Sequence, residues 1–128
     1  MIVLDAGVLI AYSETHDPHH KATIRFLAAH ADERFSVPVI TLSEALVRPA
    51  SAEEIGSALK KIMPLGLDVE DLREQDAVAL ARVRAATGLK MPDALVVHTA
   101  ERFGGSVATT DARLAAAAES RGLVVHTI

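Results

Sequence analysis

The chain has 128 residues, a formal charge of −4 and no cysteine, with hydrophobic residues at 50% and aromatic residues at 3%. That length holds one compact domain spanning residues 1–128 with a sizeable core, and that hydrophobicity excludes intrinsic disorder. The missing thiols exclude a disulfide scaffold, a thiolate zinc site and a cysteine nucleophile, while the acidic balance and few rings argue against a basic or base-stacking nucleic-acid coat.

Ile2-Val3-Leu4 reads as a fully buried strand that ends at Asp5. A short apolar helix follows over Val8 to Tyr12. Asp17-Pro18 signals the start of a second helix, with Ile24, Leu27, Ala28 and Ala31 on one face. Phe35-Ser36-Val37 is a strand stopped by Pro38, and a helix is expected from Val39 to Arg48, ended by Pro49. Ser51-Ala52-Glu53-Glu54 has the capping-box spacing for a helix to about Met63. Leu65 to Val69 then reads as a strand, and Asp71 to Thr87 as an amphipathic helix closed by Gly88. Pro92-Asp93 opens a helix so apolar that it belongs at the centre, stopped by Gly104-Gly105. Ser106 to Thr109 is a strand, Asp111 to Ser120 an alanine-rich helix, and Leu123 to His126 a last strand. Strands alternating with helices predict an α/β domain with a parallel sheet and right-handed crossovers.

No basic n-region precedes the first apolar run, and Val8 to Ala11 is too short to span a bilayer. A soluble, cytoplasmic protein with no membrane partner is expected.

Ligands of open α/β sheets bind beyond the carboxyl ends of the strands. Four acids fall at such places: Asp5 and Asp111 after strands, Asp93 in the first turn of the apolar helix, and Glu44 on the helix after Pro38. Each also has a simpler reading. Asp5 and Asp111 suit helix caps, Asp93 suits the positive end of its helix, and Glu44 stands four residues before Arg48, the spacing of a helical ion pair. Together they point further. Crowded carboxylates favour their neutral forms unless a cation shares the site, and hard oxygen donors suit Mg²⁺ or Mn²⁺. Such an ion lowers the pKa of a bound water and accepts a phosphodiester into an acidic pocket.

These residues resemble the PIN-domain ribonucleases, and among them the VapC toxins of toxin–antitoxin systems. The resemblance runs the length of the chain in four marks: Asp5 followed by Val8-Leu9-Ile10-Ala11; Ser43-Glu44; Leu89-Lys90-Met91-Pro92-Asp93-Ala94; and Val107-Ala108-Thr109-Thr110-Asp111. It implies a three-layer α/β/α sandwich with strand order 3-2-1-4-5. It also implies an endoribonuclease toxin that cleaves RNA with a metal-activated water. Asp5, Glu44, Asp93 and Asp111 fall on the family's catalytic, Mg²⁺- or Mn²⁺-binding positions, and Thr109 on its orienting hydroxyl. A homodimer and a neutralising antitoxin are implied as partners, the antitoxin gripped by apolar residues of the first half of the chain. One departure stands out: Ala6-Gly7 replaces the Ser, Thr or Asn usual just after the first aspartate. That supports a second reading, a catalytically weak module acting through protein–protein contact.

Arg48, Lys90 and Arg113 neighbour the acids in sequence and are candidates for RNA phosphate contacts. His16, His19 and His20 cluster around Asp17 without the spacing of a metal site, and His98 reads as a packed histidine with one hydrogen bond. No serine-hydrolase elbow, P-loop or dinucleotide turn is present. A receiver-like phosphoacceptor needs a paired acid after its first strand, where Asp5 stands alone.

Overall fold

A computed structural model describes residues 1–128. Five strands form one parallel sheet: β1 (Ile2–Leu4), β2 (Phe35–Pro38), β3 (Asp68–Glu70), β4 (Ser106–Thr109) and β5 (Val125–Thr127). Their order is β3-β2-β1-β4-β5, as the resemblance implied. The helices are α1 (Ala6–Ser13), α2 (His20–Ala29), α3 (Val39–Ala45), α4 (Val47–Ser51), α5 (Ile55–Ile62), α6 (Asp76–Thr87), α7 (Met91–Phe103) and α8 (Ala112–Ser120). None is long and apolar enough to cross a membrane.

The alternation of side chains along β1 divides the core in two. Val3 packs with Val83, Leu95, Val96, Val107 and Leu114 on the face covered by α6, α7 and α8. Ile2 and Leu4 pack with Val8, Leu9, Leu27 and Val37 on the face covered by α1 and α2. A strand buried on both faces has to be apolar throughout, which is why Ile2, Val3 and Leu4 are all fully inaccessible. Helix α7 has the same character, every residue from Ala94 to Ala100 being buried. Strand β1 lies between β2, where Ile2 pairs Phe35, and β4, where Leu4 pairs Ala108. That central position brings its carboxyl end to the switch point of the sheet, where β1 leads to α1 on one face and β4 to α8 on the other.

Several boundaries differ from expectation, each for a local reason. Helix α2 begins at His20 because Asp17 forms a turn first, its side chain accepting the His19 N–H at 2.8 Å. The helix expected to end at Pro49 breaks at Leu46 instead. Pro49 sits buried in the first turn of α4, where a missing N–H costs no intrahelical bond. The capping box does not form. Ser51 is the last residue of α4 and donates back to the Val47 carbonyl at 3.1 Å, while Glu53 turns left-handed (φ 57°) before α5. Strand β3 lies later than Leu65–Val69, since Met63–Leu65 forms a 3-10 turn. Helix α6 starts at Asp76 rather than Asp71, because the Asp76 carboxylate accepts the Arg73 N–H at 2.7 Å. At the end of the chain Leu123 bonds back to Ala118, delaying β5 to Val125.

Candidate functional site

Asp5 follows directly on β1, and its extended backbone (φ −83°, ψ 171°) makes it the cap of α1. One carboxylate oxygen accepts the Val8 N–H at 2.9 Å. The other accepts the Thr109 hydroxyl, which in turn accepts the Asp111 N–H at 2.9 Å. Thr109 therefore ties the ends of β1 and β4 together through one oxygen. Asp111 caps α8 with a single oxygen, Oδ1, accepting from Arg113 at 2.8 Å and Leu114 at 3.4 Å. The capping readings of Asp5 and Asp111 are correct as geometry. Capping engages only one oxygen of Asp111.

Asp93 stands in the first turn of α7 after Pro92, and the helix has no side-chain cap. Glu44 projects from α3. The expected Glu44–Arg48 ion pair is absent. Arg48 instead pairs with Glu14, and more distantly with Glu54 at 3.4 Å. Glu44 is left without a cationic partner.

Asp5, Glu44, Asp93 and Asp111 line one cavity of about 200 Å³, together with Gly7, Thr41 and Thr110. Asp5 is buried while Asp93 is half-buried, and Glu44 and Asp111 are exposed at the mouth. The carboxyl pKa of Asp5 is raised, first by burial and then by the charges of Asp93 and Asp111, against the lowering bonds from Thr109 and Val8. Burial also raises Glu44, with Asp93 and Asp5 adding to it. Asp93 is raised by burial and Asp111, and partly offset by Arg113 and Lys90. Three acids thus hold their protons more tightly than free carboxyls do, chiefly because burial withdraws them from water and secondarily because their charges crowd one another.

The donor set is one for a hard divalent ion: carboxylate oxygens and hydroxyls, with neither thiolate nor imidazole. Thr41 adds an unsatisfied polar group to the lining. Its hydroxyl is wholly buried beside the cavity and has no hydrogen-bond partner in the protein, a state that costs stability until a ligand or water supplies one. As they stand, no three His, Asp or Glu side chains approach closely enough to cage an ion.

Of the basic candidates, Lys90 precedes α7 and Arg113 lies in the first turn of α8, both exposed and both acting on Asp93. The Arg113 side chain also donates to the Gly88 carbonyl at 3.3 Å. Arg48 borders an adjoining hollow that shares Glu44 with the acidic cavity and also takes in Glu14 and Asp17. The histidines near Asp17 form no metal cluster, His20 instead bonding the Ala11 carbonyl at 2.7 Å. His98 is packed as expected, its ring 2.9 Å from the buried Asp76 carboxylate. The sequence marks Gly7 as a departure and Thr110 only as part of the Thr109-Thr110-Asp111 run, and Thr41 not at all. Thr41 lies one turn before Glu44, on the same side of α3, and that spacing was the available signal.

The model of the PIN domain matches residues 2–120. No curated protein matches the sequence. Among solved structures, the chain is similar to FitAcB from Neisseria gonorrhoeae (23% identity, 99% of this chain and 97% of that one, TM-score 0.76). It is similar also to the sarcin–ricin loop cleaving toxin VapC20 of Mycobacterium tuberculosis (14% identity, 97% of each chain, TM-score 0.74). A toxin–antitoxin complex from Klebsiella pneumoniae is a third likeness (19% identity, 87% of each chain, TM-score 0.72).

Proposed function

The chain belongs to the PIN-domain family, and from that membership we propose that it is a Mg²⁺- or Mn²⁺-dependent endoribonuclease, the toxin of a toxin–antitoxin pair. One observation carries the reading: four carboxylates from four segments of the chain line a single cavity at the carboxyl ends of β1 and β4. Asp5, Glu44, Asp93 and Asp111 would hold the ion. When bound, it supplies positive charge to a phosphodiester and activates a water for attack. Thr109 keeps the Asp5 carboxylate in place, and the Asp111 amide with it. Lys90 and Arg113, exposed near Asp93, would draw RNA phosphates toward the mouth, and Arg48 would do so from the adjoining hollow. Specificity for one RNA is left to groove shape and loops.

The toxin reading draws on the solved relatives described as a toxin and as a toxin–antitoxin complex. It draws also on two apolar grooves. One is lined by Val39, Leu42, Leu46 and Ile55, and the other by Tyr12, Ile24, Leu27 and Leu65. Grooves of this kind suit an antitoxin segment or a second copy of the chain. The same grooves, with Ala6-Gly7 and the spread of the carboxylates, favour the second reading of a module acting by protein contact alone.

Mn²⁺ titration calorimetry on the wild type and on Asp93→Asn separates the two. Binding by the wild type and none by a folded variant, followed by Mn²⁺-dependent cleavage of a mixed RNA pool, is the expected result. A wild type that binds no Mn²⁺ at millimolar concentration and neutral pH would overturn the nuclease reading.

A further inference from the structure

Gly7 lies in α1 with ordinary helical backbone, so its φ does not call for glycine, and glycine weakens a helix relative to alanine. What calls for it is a contact. A Cβ on residue 7 would lie 2.5 Å from the Thr110 hydroxyl oxygen and 3.4 Å from Asp5 Oδ1. The first distance is far inside any tolerated approach. The Thr110 hydroxyl thus occupies, right beside the buried carboxylate, the space that a side chain at position 7 would claim.

Three further facts make that placement more than a packing accident. Gly7, Thr110 and Asp5 all line the acidic cavity, and Thr110 is half-buried there rather than folded into the core. Both oxygens of Asp5 already accept hydrogen bonds, from Val8 and from Thr109. A cation beside Asp5 therefore finds that carboxylate partly committed and needs other oxygens near it. Thr41, which also lines the cavity, has a buried hydroxyl with no hydrogen-bond partner in the protein. Adjacent threonines at the end of β4 divide the work: Thr109 turns inward to fix Asp5, and Thr110, just after the strand, lines the cavity.

We propose that the Thr110 hydroxyl, admitted by the missing side chain of Gly7, is a positioning group for the divalent cation of this pocket, meeting the ion or a water it carries. The inference rests on the metal-dependent reading above and adds a residue to it. Mg²⁺ and Mn²⁺ keep several waters when bound, and partners of such outer ligands typically change metal affinity roughly 10–100-fold.

The test is Mn²⁺ calorimetry, with the melting temperature of the metal-free protein measured alongside. Thr110→Ala should weaken Mn²⁺ binding about tenfold and leave the metal-free melting temperature unchanged, whereas Thr110→Ser should bind as the wild type does. Gly7→Ala should weaken binding like Thr110→Ala by displacing the hydroxyl, and the two together should be no worse than either. Gly7→Ser combined with Thr110→Ala should recover binding. A Cβ at position 7 then meets Asp5 Oδ1 at 3.4 Å and the residue-110 Cβ at 3.8 Å, both ordinary contacts. Wild-type affinity in Thr110→Ala, or multiplied losses in the Gly7→Ala/Thr110→Ala pair, overturns the inference while leaving the metal site standing. No Mn²⁺ binding by the folded wild type overturns both.

Discussion

Replacing Thr109 with valine isolates the hydroxyl that joins the two halves of the acidic pocket. Valine keeps the shape of the side chain, which is wholly inaccessible, and removes only its hydrogen bonding. Two bonds disappear: the one donated to the Asp5 carboxylate and the one accepted from the Asp111 amide at 2.9 Å. A bond to a charged group contributes about 2 kcal/mol, and the half-buried amide, which water can partly satisfy, about 1 kcal/mol. The expected loss is about 3 kcal/mol, or a fall of roughly 10 °C in melting temperature for a chain of this size. Guanidinium unfolding at neutral pH, followed by circular dichroism, should show a lower midpoint with an unchanged slope. Thr109→Ser should recover most of the loss. There is a second consequence. The Thr109 bond lowers the Asp5 pKa against burial and neighbouring charge, so in the valine variant Asp5 loses its proton at higher pH and Mn²⁺ binding moves with it. A loss below about 1 kcal/mol, or a serine variant as unstable as the valine one, would refute the reasoning, because methyl packing alone would then explain the residue.

Stability should also respond to pH in a characteristic way. Asp5, Glu44 and Asp93 have raised pKa values, so the folded protein binds their protons more tightly than the unfolded chain. The metal-free protein then gains stability as pH falls from neutral through those values, the gain being complete near the ordinary carboxyl range of about 4. Asp76 acts oppositely. The Arg73 amide and the His98 ring lower it to about 2, and its stabilisation is present above the ordinary range and lost as pH falls toward that value. Melting temperature without metal should therefore peak on the acid side of neutral, and Mn²⁺ should remove the decline toward neutral pH. A steady rise from acid to neutral in the metal-free protein would contradict this. Two glycine substitutions should differ in sign. Gly105→Ala puts a Cβ 2.9 Å from the Met1 carbonyl oxygen, which is held in place by the Ser106 N–H at 3.0 Å, and should cost about 1–3 kcal/mol. Gly56→Ala, in α5 with open space around it, should gain about 0.5–1 kcal/mol; equal denaturation midpoints for the two variants would defeat the contact argument.

The fold was largely legible because its signals are local. The runs Ile2-Val3-Leu4 and Ala94-Leu95-Val96-Val97 can only be satisfied by burial on every side, which places β1 and α7 at the centre before any pairing is known. Legibility failed between Leu46 and Glu54, where local rules compete. Pro49 reads as a stop, yet a helix that restarts at Val47 takes proline in its first turn at no cost. Ser51 reads as a cap, yet its hydroxyl finds the Val47 carbonyl first. In both cases the residue type was read correctly and its position within a turn of helix was not.

The site divides along the same line, and Glu44 shows why. Asp5, Asp93 and Asp111 are marked by the chain itself, each at the edge of a strand or helix. Glu44 has no such mark, and its neighbour Arg48 at the next turn offers it a plain surface ion pair. The structure removes that option by drawing Arg48 to Glu14, 34 residues away, and to Glu54. Those two acids engage the Arg48 guanidinium, so Glu44 faces Asp5 and Asp93 without a cationic neighbour. Thr110 and Thr41 are equally invisible in the chain, because one matters through a gap at Gly7 and the other through a missing partner. Sequence locates the groups that carry charge. Which of them stay uncompensated depends on pairings between distant segments, and the proposed metal site rests on that uncompensated remainder.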